Sequence, residues 1–297
     1  MKVMKFGGIS LKNSDAIKKA KDIIDAEKQP VVIVVSALYG VTEQLLKAGN
    51  YALNNNKRYE VVFDNIQNYH IQIIKETIKP EEIQLEALEE IHPLMDDLRN
   101  ILRGVFLIGD LSQKTSDRIV SYGERLSSII LSKIISDAKL FDPTLFIKTT
   151  KQFDKHIPDI PLSNKLIKKH LKDIDGIALV PGFITSSRDD SEITNLGRGG
   201  SDYTASLIAA ALDASILEIW TDVDGFMTAD PKIIKSAYVI EELSYIEAIE
   251  LSNFGAKVIY PPTIFPVYHK NIPIRIRNSF NLSSKGTLIL SKQSKED

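Results

Sequence analysis

Eight short apolar segments recur along the chain, with longer helical patterns between them. They fall at residues 3–6, 31–35, 105–108, 145–147, 177–180, 216–220, 274–276 and 287–290. Several are nearly continuous in valine, isoleucine and leucine rather than alternating, the pattern of strands covered on both faces. Helical periodicity occupies residues 15–27, 42–53, 117–138, 203–212 and 245–254. This alternation predicts an α/β fold in which helices flank a mostly parallel central sheet. Residues 58–103 interrupt it with a long, polar, glycine-poor stretch that reads as a paired-helix insertion. The turn-rich segment 185–195, between two apolar flanks, predicts a hairpin.

Composition narrows the chemistry. The formal net charge of −2 gives no general attraction to nucleic acid or to membranes. The absence of cysteine excludes disulfides, thiolate catalysis and cysteine zinc sites, and none of the five histidines has the spacing of a zinc protease. The amino terminus has no long apolar stretch of a signal peptide, and no apolar run approaches the roughly 20 residues that span a bilayer. The expectation is a cytoplasmic protein.

The densest functional signal is Gly197-Arg198-Gly199-Gly200-Ser201-Asp202, directly before the alanine-rich helical run. Glycines at a helix start expose backbone N–H groups at the positive end of the helix dipole, which suits a phosphate or carboxylate. Arg198 adds a fork that grips such an anion with two hydrogen bonds. Ser201 or Asp202 reads as the helix cap.

Other motifs follow the expected strands. Lys5-Phe6-Gly7-Gly8-Ile9-Ser10 closes the first, where Lys5 either neutralises a transferring phosphoryl group or is a surface lysine before a turn. Ser36 and Thr42 follow the second; they suit a small polar substrate, and Thr42 equally suits a helix cap. Glu124, beside Gly123 and read near a helix start, suits a substrate ammonium or is an ordinary solvated helix residue. Thr221 and Asp222 end the strand at 216–220, with Lys232 further along, an order that suits ribose, base and phosphates or an Asp-Gly turn. Lys257, after a glycine helix stop at Gly255, is a nucleotide contact or a surface charge. In an open parallel sheet these sites converge beyond the carboxyl ends of the strands.

Taken in order, the motifs resemble those of aspartate kinases, within the amino-acid kinase family. The resemblance rests on Lys5 to Ser10, Gly123-Glu124, Gly197 to Ala205, Thr221 to Gly225 and Phe254 to Val258, and it covers essentially the whole chain. It implies a three-layer α/β/α sandwich of the carbamate-kinase-like type with a central sheet of about eight strands. It also implies ATP-dependent phosphorylation of the side-chain carboxylate of L-aspartate to 4-phospho-L-aspartate, the first step toward lysine, threonine and methionine. In that reading Lys5 and Asp202 are catalytic, Asp202 by orienting Lys5. Ser36, Thr42, Glu124, Arg198 and Ser201 hold aspartate. Lys5, Phe6, Gly7, Gly8, Gly199, Gly200, Thr221, Asp222, Lys232 and Lys257 hold ATP, and Mg2+ is carried by the ATP phosphates and water rather than by protein ligands. Residues to about 180 form an amino-acid-binding lobe and residues from about 181 to 290 an ATP-binding lobe. The neighbouring alternatives are kinases of glutamate, N-acetylglutamate or nucleoside monophosphates, or a non-catalytic nucleotide-binding module of the same fold. Ile9, Phe226, Met227, Lys232 and Tyr260 depart from the usual pattern. No ACT regulatory domain is expected within the chain. It reads either as a short enzyme or as the kinase portion of a longer protein continuing into ACT or homoserine dehydrogenase domains, and a homodimer is compatible with both.

Overall fold

A computed structural model describes residues 1–28, 30–153, 155–256 and 258–291. The chain runs β1 (Lys2–Phe6), α1 (Ser14–Asp25), β2 (Val31–Val35), α2 (Val41–Leu53), α3 (Arg58–Thr77), α4 (Glu81–Ile108), α5 (Gln113–Ile134) and β3 (Ala138–Leu140). It continues through β4 (Lys148–Gln152), β5 (Lys155–Pro158), α6 (Ile160–Leu171), β6 (Ile177–Pro181), β7 (Ile184–Ser187), β8 (Ile193–Asn195) and α7 (Gly200–Ala211). The last elements are β9 (Ile216–Thr221), β10 (Glu242–Ser244), α8 (Tyr245–Asn253), α9 (Ile264–Tyr268), β11 (Ile274–Asn278) and β12 (Thr287–Leu290).

Eight strands form one sheet in the order β10-β12-β11-β9-β1-β2-β6-β3, parallel except for the β11–β12 pair. The alternation of side chains along each strand feeds two separate cores. Met4, Phe6, Val31, Ile33 and Val35 pack with residues of α1 to α5 on one face. Val3, Val32 and Val34 pack with α6, α7, α8 and α9 on the other. The expected three-layer arrangement is therefore present, and it explains why the strands read as unbroken apolar runs.

The insertion is a pair of helices, α3 and α4, and the turn-rich segment is the hairpin β7–β8. Three expectations fail. Residues 105–108 are the last turn of α4 rather than a strand. Residues 145–147 lie at and after a short 3-10 turn, with β4 starting one residue later. The helix expected over 117–138 starts earlier and stops at Ile134, so that Ala138 opens β3 instead. No helix among the described residues is long and apolar enough to cross a membrane.

The topology opens a crevice. The chain leaves β2 into α2 on one face, and leaves β6 through the small hairpin into α7 on the other. Between neighbouring strands whose exits diverge, the carboxyl edge of the sheet stays uncovered.

Candidate active site

Strand alternation sets the first functional group. Val3 packs on the α7 face, so Lys5, two residues on, points to that face at the carboxyl end of β1. Its Nζ lies 2.6 Å from Asp202 Oδ1 in the first turn of α7, and Lys5 is only 9% exposed. Gly7 leaves room for the lysine, and Gly8 leaves room for the loop after β2. A Cβ at Gly7 would stand 3.3 Å from Lys5 Nζ, and one at Gly8 would stand 3.1 Å from the Ala37 carbonyl. The Gly7 N–H is not free for a ligand, because it donates to the Trp220 carbonyl at 3.2 Å. The Phe6 ring is buried and stacked on Trp220, on the sheet face opposite Lys5.

Glu124 lies in the middle of α5, not near a helix start. Its neighbour explains the geometry. A Cβ at Gly123 would come within 2.8 Å of the Ala37 side chain, so glycine lets α5 press against the loop after β2. Glu124 is 4% exposed, and burial pushes its carboxyl up to about 8, against the opposing pull of the Ala37 N–H, the Lys5 ammonium and the Ser201 hydroxyl. Its Oε2 is buried without a hydrogen-bond partner among the described residues. A buried carboxyl oxygen left open at a cavity wall is a binding position for a donor.

The glycine-rich segment forms the opposite wall. The N-cap of α7 is Gly199, at φ +70°, so Ser201 and Asp202 are first-turn residues and not caps. A Cβ at Gly199 would stand 2.6 Å from the Tyr260 Cβ. Positive φ and close approach together require glycine there. Arg198 is exposed and makes no ion pair among the described residues. Ser36 donates its N–H to the Phe6 carbonyl and accepts the Ser127 hydroxyl on its own carbonyl at 2.8 Å. Thr42 sits one residue inside α2, whose N-cap is Gly40.

These groups share one cavity of about 610 Å3, lined by Lys5, Gly8, Ser36, Thr42, Glu124, Arg198, Gly199, Gly200, Ser201 and Asp202 among others. A second cavity, of about 390 Å3, shares Arg198, Gly199 and Asp202 and runs along Ser252, Asn253 and Tyr260. Thr221 and Asp222 line neither. They stand at the same carboxyl edge, because β9 pairs with β1, and the Asn278 amide donates to the Asp222 carbonyl. Lys232 is exposed on the segment between β9 and β10 and lines neither cavity. Lys257 lies outside the described residues.

Several lining residues were not anticipated. Phe183 follows β6 with φ +68°, an uncommon conformation for a bulky residue, and it abuts Gly200. The Pro181-Gly182 dipeptide before it was the available turn signal. Asp117 is 6% exposed and faces the cavity. It stands seven residues before Glu124 on α5, and that spacing, two helical turns, was the signal for a shared face.

An anion fork, a buried ion-paired lysine and an open carboxylate at a parallel-sheet edge suit transfer of a phosphoryl group to a small zwitterion. The chain belongs to the amino acid kinase family, which residues 1–278 match. Its relatives include aspartokinases. Lysine-sensitive aspartokinase 3 of Escherichia coli is 34% identical over 98% of this chain and 64% of its own length. A bifunctional aspartokinase/homoserine dehydrogenase of Buchnera aphidicola is 34% identical over 100% of this chain and 37% of its own length. Among solved structures, E. coli aspartokinase III in complex with aspartate and ADP superposes with a TM-score of 0.90 at 32% identity, over 99% of this chain and 65% of that one. The chain thus spans just under two thirds of aspartokinase 3 and about a third of the bifunctional relative.

Proposed function

We propose that the chain transfers the γ-phosphoryl group of ATP to the side-chain carboxylate of L-aspartate, as an aspartate kinase. The observation that carries this reading is the convergence of Lys5–Asp202, Glu124 and Arg198 on one cavity. Glu124 takes the substrate ammonium on its open oxygen, and Arg198 takes a carboxylate. The other carboxylate is already ionised near pH 7, so attack needs no general base. Its oxygen bonds to the γ-phosphorus as the bond to the β,γ-bridging oxygen breaks, and ADP leaves with that electron pair. Lys5, held by Asp202, faces the charge that develops on the phosphoryl oxygens. The remaining contribution is positioning, from Ser36, Thr42 and Ser201 around the substrate.

ATP approaches along the second cavity, which shares Asp202 and runs beside Ala256 and Val258. Thr221 and Asp222 take its nucleoside end, Lys232 reaches its phosphates, and Gly8, Gly199 and Gly200 keep the phosphate path clear of side chains. The aspartate site draws on both expected lobes, with Ser36 and Glu124 from the first and Arg198 and Ser201 from the second. The Mg2+ expected with ATP would be held by the phosphates and water, and would neutralise phosphate charge there.

ADP release with L-aspartate, L-glutamate, N-acetylglutamate and a nucleoside monophosphate, each with and without Mg2+, tests the reading. Turnover that depends on aspartate supports it. Turnover only with another acceptor, or none, overturns it.

Arg198→Lys is expected to raise the KM for aspartate about tenfold and to leave that for ATP nearly unchanged, since lysine keeps the charge and loses the two-pronged grip. Steady-state titration of each substrate checks this. A rise confined to the ATP KM would move Arg198 to the nucleotide.

A further inference from the structure

Asp117 has no part in the chemistry above, yet it is the second buried carboxylate of the cavity. Two amide donors converge on it. Gln113 Nε2 donates to Asp117 Oδ1 at 2.6 Å, and the Asn195 side-chain amide stands against the same carboxylate in the cavity wall; both oppose burial, which pushes the Asp117 carboxyl up. Asn195 closes β8, and its Oδ1 accepts the N–H of Gly197 at 2.9 Å. An ionised carboxylate only accepts, so Asp117 fixes which end of the Asn195 amide faces it. The other end, the oxygen, is thereby turned toward Gly197, the residue before Arg198. A polar relay thus runs from α5 through Asn195 to the first residue of the glycine-rich loop. The same helix carries Glu124.

We propose that Asp117 is a positioning residue, which acts through Asn195 to fix the Arg198 loop relative to Glu124. Both grips on the amino acid, one for ammonium and one for carboxylate, are then referred to a single rigid helix. The distance between them sets which amino-acid length is admitted. This inference rests on the aspartate reading of the cavity for its effect on kinetics, though not for the relay itself.

The test exchanges the two polar ends. In Asp117→Asn, one carbonyl oxygen faces two donors, so the Asn195 amide loses its orientation. In Asn195→Asp, two carboxylates face each other with no donor between them. In the double variant D117N/N195D every group is paired again. The carboxylate at 195 accepts from Gly197 and from the new amide at 117, whose oxygen accepts from Gln113. Each single variant is expected to raise the KM for aspartate about tenfold, of the order of one lost buried charge-assisted hydrogen bond. It should change kcat less, leave the KM for ATP within about twofold, and weaken discrimination against glutamate. The double variant is expected to recover most of the aspartate KM.

Hydrogen exchange at the Gly197 amide, measured without substrates, gives a readout independent of activity. It should speed up in Asp117→Asn, where the Asn195 oxygen is free to turn away, and slow again in the double. Unchanged exchange in Asp117→Asn, or a double variant whose aspartate KM is no better than that of either single variant, overturns the proposal. If wild-type protein shows no aspartate-dependent turnover while the exchange pattern holds, the relay stands and the substrate reading fails.

Discussion

Lys5→Met is expected to lower kcat by about 10²–10³, the loss typical of removing one preorganised donor from a developing charge. ATP should still bind. Methionine keeps an unbranched stem of similar length and lacks the ammonium, so the packing beneath Gly7 and Gly8 survives while the charge does not. The lysine stands at the end of a strand buried on both faces, and its partner Asp202 comes from the first turn of a helix on the second layer. Two rigid elements therefore hold the ammonium before any substrate arrives, and little reorganisation is left for the transition state. Steady-state turnover and calorimetric titration of ATP, run on the same preparation, separate chemistry from binding. Near-normal kcat would remove Lys5 from the reaction. Loss of ATP binding with kcat retained at saturation would make it a nucleotide contact only.

The sequence read the sheet more reliably than it read the connections, for a physical reason. Residues 31–35 are covered on both faces, and nothing but a central strand suits five consecutive branched apolar residues. The run at 105–108 looks similar, but Leu98, Leu102 and Val105 continue a buried stripe of α4, while Leu107 and Ile108 are 70% and 78% exposed. Local apolarity there hid the helical period. β4 and β5 were missed because Lys148–Gln152 and Lys155–Pro158 are polar strands of a separate four-stranded sheet. In the site, the glycine-rich segment, Lys5 and Glu124 were legible because each broke the composition around it. Asp117 was not, because its role depends on meeting Asn195, whose distance in sequence carries no local signal. The displaced start of α5 concealed it further, since the helix begins at Gln113 behind a Ser112 cap. Gathering Lys5, Glu124 and Arg198 into one cavity follows from the diverging exits of β2 and β6, a property of strand order that no single motif contains.

Glu124→Gln is expected to raise the KM for aspartate about 10²-fold near pH 8, within the range for truncating one partner of a buried charge pair. It should also abolish a pH dependence present in the wild type. Burial raises the Glu124 carboxyl from 4.5 to about 8, so in the free protein it is largely protonated at neutral pH. An ammonium in the site favours the ionised form, and binding below about pH 8 therefore releases a proton. Affinity for aspartate then rises with pH, by up to about tenfold per unit between about pH 6 and 8, and levels above that. Glutamine matches the shape and cannot ionise, so its curve should be flat across the window. Unfolding does not account for the weakened binding. A carboxyl raised in the folded state stabilises most fully below its unfolded value of 4.5, and that contribution is lost as pH rises through about 8. The glutamine variant should therefore be at least as stable as wild type at pH 8, which a thermal melt at that pH checks. A flat wild-type profile, or a slope that survives the substitution, would place the ammonium elsewhere and leave the open oxygen of Glu124 without its ligand.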